Sequence, residues 1–250
     1  MPKPRVIPVL LTDGLSLVKG ESFNSWRTVS SVVAAARVFA LRDVDELVLL
    51  DVAATAEGRH VDPALVTSVA ECLHTPLTCG GGLCDLNAIE KTLRAGADKV
   101  VLGTIAQTDP GFVTRAADVF GSQAVVVSID VADSVSRAIA IQSGRRVLTA
   151  TVGEAVAAAQ GAGCGEILLQ SVERDGLMVG MDFDTIAEVC RVATVPVVVS
   201  GGAATYDDLY RAVSLGASGV AAGAMFQFTQ QTPRGARDYL THHGLEARVG

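Results

Sequence analysis

Three observations in the sequence predict an α/β fold, a (β/α)8 barrel of the TIM-barrel type: eight recurrences of one pattern, a length suited to one large core, and an internal duplication. In each recurrence a short β-branched run passes through a Gly- or Asp-rich joint into an alanine-rich amphipathic segment. With 250 residues, 49% apolar and 19% charged, the chain can bury such a core without a second domain, so residues 1–250 are expected to form one domain. The duplication decides between an open sheet and a closed barrel. "TPLTCGGGLCDLNAIEKTLRAGADKVVLGT", from Thr75, and "VPVVVSGGAATYDDLYRAVSLGASGVAAGA", from Val195, align without a gap. Pro76 pairs with Pro196, Gly81 and Gly82 with Gly201 and Gly202, Gly96 with Gly216, and Gly103 with Gly223. Each copy holds two strands and the helix between them. Four units then make a half-barrel, about 1–120 and 121–250, and eight close the ring.

In chain order, strands are expected at 5–10, 47–51, 76–79, 98–102, 124–130, 165–170, 195–200 and 218–223. Their nearly continuous apolar runs suit parallel strands covered by helices. Helices are expected near 29–41, 62–73, 85–95, 109–119, 152–160, 182–193, 205–215 and 233–243. "TDPGFV" and "QTPRGARDYL" place proline in a first helical turn, where its missing N–H is harmless. The 25 glycines against 8 prolines suit tight strand-to-helix joints rather than disorder.

Composition also excludes partners. A net charge of −7, a pI near 5.1 and only 4% aromatic residues argue against a nucleic-acid or anionic-membrane surface. The five cysteines are scattered and odd in number, as in a reduced compartment. Cys79 and Cys84 in "CGGGLC" lack the second pair of a structural zinc site, and His60, His74, His242 and His243 form no recognisable ligand set. No metal or other cofactor is therefore expected. The apolar run in "MPKPRVIPVLL" is short for a signal peptide and no segment approaches a membrane span, so cytoplasmic residence is the expectation.

Barrel chemistry sits where strands end and in the loops that follow. There the duplication places Gly81–Gly82 with Gly103–Thr104 in one half, and Gly201–Gly202 with Gly223–Ala224 in the other. Glycine admits close backbone approach, and free N–H groups at a helix start favour an anion. Two related half-sites point to a ligand with two phosphates, or to one long ligand held at both ends; tight joints alone are the alternative. Asp51, Asp130 and Asp175 lie at or just beyond the second, fifth and sixth strands. Burial in "VVVSIDV" would suit Asp130 to proton transfer, a cap or loop bond being the other use. Asp51 either orients a ligand hydroxyl or supports packing, and Asp175–Gly176 is on its own a turn signal. Lys19, in "SLVKG", is expected on a mobile loop over the ligand or in a surface ion pair. Aligning the halves lays Leu11 against Asp130, so one half keeps a carboxylate at the mouth and the other does not. At the opposite face Arg5, Glu46, Lys99 and Glu166 enter what read as four alternate strands, a set able to pair into a ring; position alone assigns such residues to stability.

These segments also carry a resemblance. "RVIP", "LVKG", "DELVLLDV", "EGR", "CGGG", "AGADKV", "FGSQAVVVSID", "GAGCGEILLQS", "RDGLMVG", "VSGGA" and "HGLEARV" are similar to the cyclase subunit of imidazole glycerol phosphate synthase, over nearly the whole chain. The resemblance implies a two-fold symmetric (β/α)8 barrel, a ligand bearing two phosphates, and ammonia supplied by a separate class-I glutaminase docked at the bottom face. Arg5, Glu46, Lys99 and Glu166 match that family's ammonia gate. Of its two catalytic aspartates one matches Asp130 and the other falls on Leu11. Leucine transfers no proton, so imidazole formation would need another group, and Asp13 is the nearest by sequence. Gly103 stands where the family often has asparagine, and Ala224 where it has serine. Leucine within "IPVLL" resembles a divergent branch encoded with bacterial surface-polysaccharide genes. That branch would work with a glutaminase homologue and a separate sugar amidotransferase to form an acetamidino group. The implied function is an ammonia-receiving synthase subunit acting on a phosphorylated or sugar-nucleotide-like substrate. The alternatives are the usual histidine-pathway cyclase and a noncatalytic activator of the glutaminase.

Overall fold

A computed structural model describes residues 3–42 and 44–245, so the end of the "HGLEARV" motif lies outside the described residues. Among the described residues twelve strands form: β1 (Arg5–Thr12), β2 (Leu17–Glu21), β3 (Asn24–Ser30), β4 (Leu47–Asp51), β5 (Leu77–Gly80), β6 (Lys99–Leu102), β7 (Val125–Val131), β8 (Ala138–Ile141), β9 (Arg146–Thr151), β10 (Glu166–Ser171), β11 (Val197–Ser200) and β12 (Gly219–Ala222). Eight of them pair in parallel in the order β1-β4-β5-β6-β7-β10-β11-β12, and β12 returns to β1. The sheet is a closed (β/α)8 barrel, as the duplication predicts.

Outside it lie α1 (Val32–Ala40), α2 (Ala54–Glu57), α3 (Pro63–Ala70), α4 (Leu86–Arg94), α5 (Thr104–Thr108), α6 (Pro110–Phe120), α7 (Val152–Gly161), α8 (Phe183–Val192), α9 (Tyr206–Ser214), α10 (Ala224–Phe228) and α11 (Pro233–His242). The eight long helices fall where periodicity places them, with ends set by local chemistry. Asp62, Asp85, Asp109 and Asp182 accept a first-turn amide as N-caps, and Thr151 forms a capping box with Glu154. The first helix departs from expectation. It begins at Val32, after Ser31 as cap, because residues 24–30 are a strand.

The antiparallel pairs β2–β3 and β8–β9 are the main addition to the expected pattern. Each follows the first strand of a half-barrel, β2 pairing with β1 and β8 with β7. Short helices α5 and α10 likewise occupy matching places after β6 and β12. The half-barrel repeat therefore extends to features the sequence alignment does not contain. The second hairpin's tip crosses to the other half: Gln142 N donates to Thr104 Oγ1 at 2.9 Å and Ser143 Oγ to the Val52 carbonyl at 2.9 Å.

Two cores result. Leu10, Leu49, Val127, Ile167 and Val199 face the helices, while Ile7, Val9, Val48, Val101, Val126, Leu168, Val198 and Ala221 fill the barrel's inside. The inward apolar layers keep the two ends of the barrel apart, so a mouth and a floor can be described separately.

Candidate active site

At the mouth, where the parallel strands end, lies a cavity of about 310 Å³. This is the lower end of the range for small-ligand pockets. Asp130, the penultimate residue of β7, points into it. Ser128 Oγ donates to Asp130 Oδ1 at 2.6 Å, and Gln170 Nε2 donates to the same oxygen at 3.1 Å. Oδ2 takes no hydrogen bond from the described residues. Burial raises the Asp130 carboxyl above its ordinary range, against the opposing pull of the two donors. Both donors follow from strand geometry: Ser128 is two residues earlier on the same inward face, and Gln170 is the register partner of Asp130 on β10.

Asp175, in the loop after β10, also lines the cavity, and its Oδ2 is buried without a hydrogen-bond partner. Burial, then the like charge of Asp130, pushes its carboxyl up to about 6, while Lys19 pulls the other way. The mouth therefore holds two coupled carboxyls, although Leu11 itself lies half-buried in register with Leu50. Lys19 is on β2 rather than on a mobile loop, because Val18 and Gly20 on either side are buried under the hairpin. Its Nζ stands 3.3 Å from Glu21 and 5.9 Å from the centre of the Phe228 ring.

Asp13 stands at the turn after β1, outside the mouth. It is not a lining residue: its Oδ1 accepts from the Leu15 and Ser16 amides at 3.1 and 2.8 Å, closing the turn after β1. Asp51 is likewise engaged. It accepts from the Ala53 and Ala54 amides and forms an ion pair with Arg59, which also reaches the Asp13 carbonyl at 2.8 Å. Arg59, within the "EGR" tripeptide, thus ties β1 to β4 above the barrel. Gly58, in the left-handed conformation, turns the chain back to allow it.

The paired glycines divide by role. A Cβ on Gly82 would stand 2.0 Å from the Arg59 carbonyl oxygen, and one on Gly202 would stand 2.3 Å from that of Gly180, both at positive φ. Tight joints by themselves therefore require these two. At Gly103 the nearest atom to an added Cβ is 3.9 Å away, so there the absent side chain opens space within the cavity. Gly81, Gly82, Gly103, Thr104, Gly176, Gly223 and Ala224 line the main cavity, whereas Gly201 and Gly202 line an adjoining pocket that shares Asp175 and Gly176.

At the floor Arg5 donates to Glu46 at 2.6 Å and to Glu166 at 2.7 Å, and Lys99 reaches the same carboxylates at 2.9 and 3.2 Å. The four charges close a ring, with Thr78 donating to Glu46 at 2.6 Å. Burial would raise the Glu46 carboxyl, but Lys99, Arg5 and Thr78 together hold it below its ordinary range. The strands are the first, second, fourth and sixth of the barrel, not four alternate ones. Gly219 on the eighth supplies no side chain, and its register partner Arg5 completes the ring from the first.

A family model described as "Histidine biosynthesis protein" matches residues 5–232. The chain belongs to that family. Among its relatives are proteins named imidazole glycerol phosphate synthase subunit HisF. That of Dictyoglomus thermophilum is 36% identical over 247 residues, and that of Chlorobium phaeobacteroides (strain BS1) is 38% identical, each match covering 98% of both chains. The Natranaerobius thermophilus subunit is 34% identical over the same share. The histidine-biosynthesis family is thus shown over the whole barrel, while no relative named here belongs to a surface-polysaccharide branch. No helix among the described residues is long and apolar enough to cross a membrane.

Proposed function

We propose that this chain is the synthase subunit of a glutamine-dependent amidotransferase of the imidazole glycerol phosphate synthase kind. One arrangement carries the reading: a mouth cavity with two coupled carboxyls, Asp130 and Asp175, stands above an apolar interior closed below by a ring of four charges. A glutaminase docked at the floor releases ammonia, and rotation of Lys99 or Arg5 side chains opens the ring. An apolar interior passes neutral ammonia and rejects ammonium, whose charge is expensive to bury. In the mouth the phosphorylated ligand spans the two glycine half-sites, and Lys19 offers it a cation. With the Asp175 carboxyl pushed up by burial and then by the charge of Asp130, one member of the pair is suited to donate a proton and the other to accept it. Asp175 supplies what Leu11 lacks.

Leu11 favours a second reading, in which the subunit delivers ammonia to another acceptor, such as a sugar on a separate amidotransferase, and the mouth has lost cyclisation. Supplying purified barrel with ammonium salt and the cyclase's bisphosphorylated substrate separates them. Turnover that falls by about 10²-fold or more in Asp130→Asn supports the first reading. Absence of turnover, with a partner glutaminase still stimulated, supports delivery or scaffolding. Lys99→Ala should depress glutamine-driven flux more than ammonium-driven flux; equal losses would remove the ring from the ammonia route.

A further inference from the structure

We infer that His60, Cys84 and Asp85 form a divalent-metal site of the zinc class on the rim of the mouth cavity. The residues come from two loops, the one after α2 and the one between β5 and α4. Their potential ligand atoms all lie within 4.8 Å of one another. His60 and Cys84 line the cavity.

The hydrogen bonds around His60 give the independent reason. Its Nδ1 stands 2.8 Å from the Gly82 carbonyl, which can only accept, so Nδ1 carries the hydrogen. Nε2 then presents a lone pair to Asp85 Oδ2, 3.1 Å away. Two acceptors at that distance repel unless a cation stands between them. A proton would satisfy the pair alone, but the Cys84 thiol beside it supplies a third donor that a proton does not need. Oδ1 of Asp85 is taken by the Ala88 amide at the start of α4, which holds the carboxylate and leaves Oδ2 to the metal. In a tetrahedral zinc site, ligand atoms about 2.0–2.3 Å from the metal stand roughly 3.3 to 3.6 Å apart. The His60–Asp85 spacing is close to that value, and exposed Cys84 can close the remaining distance by a side-chain rotation.

The Gly82 carbonyl is the outer partner that orients a ligating imidazole. Nitrogen, sulfur and carboxylate oxygen together suit zinc better than magnesium or calcium. Three protein ligands leave a fourth position for water or a ligand oxygen. Binding expels the Cys84 proton to solvent, and no oxidation change is required.

The test uses untagged full-length protein, stripped with a chelator and titrated with Co²⁺ as the probe. One Co²⁺ per chain is expected, with the visible bands of four-coordinate cobalt and a thiolate-to-cobalt charge-transfer band. Cys84→Ser should abolish that band, and His60→Gln should weaken binding by about 100-fold. Cys72→Ser, at a thiol outside the cluster, should change neither. Circular dichroism establishes that each variant is folded before it is titrated. No charge-transfer band, a band that survives Cys84→Ser, or unchanged affinity in His60→Gln would each overturn the site.

Discussion

Replacing Asp175 with asparagine tests the mouth's electrostatics directly. Its carboxyl is raised from 3.8 to about 6, first by burial and then by the charge of Asp130. At about 1.4 kcal/mol per pH unit, keeping that group ionised in the folded state costs up to about 3 kcal/mol. The sign follows from the folded value lying above the unfolded one. Below pH 4 both states hold the proton and there is no penalty. Between pH 4 and 6 the unfolded chain releases its proton while the folded chain keeps it, so stability falls as pH rises. Above pH 6 the penalty is complete. Asp175→Asn removes it. Urea unfolding of both proteins at pH 4 and pH 8 should show the variant gaining relative to the parent by up to about 3 kcal/mol at the higher pH. In turnover assays the parent's acidic limb near pH 6 should disappear and the rate should fall about 10²- to 10⁴-fold. A stability difference that does not change with pH, or a limb near 6 that persists in the variant, would refute the coupled pair.

Other perturbations probe separate features. Leu11→Asp restores a carboxylate opposite Asp130 beside half-buried Leu50; it should destabilise the barrel by about 1–3 kcal/mol yet raise ammonium-driven imidazole formation. Unchanged turnover would show that this position is not limiting. Gly82→Ala drives a methyl onto the Arg59 carbonyl at positive φ and should cost more than about 1 kcal/mol in thermal unfolding. Gly103→Ala, with nothing nearer than 3.9 Å, should change stability by less than about 0.5 kcal/mol while weakening the phosphorylated ligand by occupying cavity space. If Gly103→Ala binds ligand as the parent does, the half-site is misplaced.

The barrel was legible because its strands and helices carry their own periodicities and because the duplicated segments align residue for residue. The hairpins were not. Most of β3 and β9 is exposed and lacks the apolar runs that mark barrel strands. The first hairpin's turn also carries no glycine, Ser22 and Phe23 taking the positive φ angles themselves, and in the second Gln142 and Ser143 share that conformation with Gly144. Asp130 was legible from its place at the end of an apolar strand. Asp175 was legible as a carboxylate just beyond the sixth strand, but its Asp-Gly pair signals only a turn, and its burial comes from elements folded over it. Gln170 carries a usable signal, a polar side chain facing inward at a strand's mouth end. Arg59 and the His60–Cys84–Asp85 cluster depend on loops meeting after the barrel closes, which no local pattern records. The expectation of a strand-alternate ring failed for a related reason: Gly219 leaves a place that only the neighbouring strand's Arg5 can fill.

The hairpin arms overhang the mouth cavity. Phe23 and Trp26 from one arm and Ser143 from the other line the same cavity, and the second arm is tied to Thr104 and Val52 across the mouth. The arms therefore overhang a cavity that the ring of charges closes from below. On the proposed reading, ammonia arriving through the floor meets its acceptor before it meets bulk water, and a finished product leaves only after Gln142 and Ser143 let go. Turnover would then be paced by the unlatching of the roof, even where the chemistry beneath it is fast.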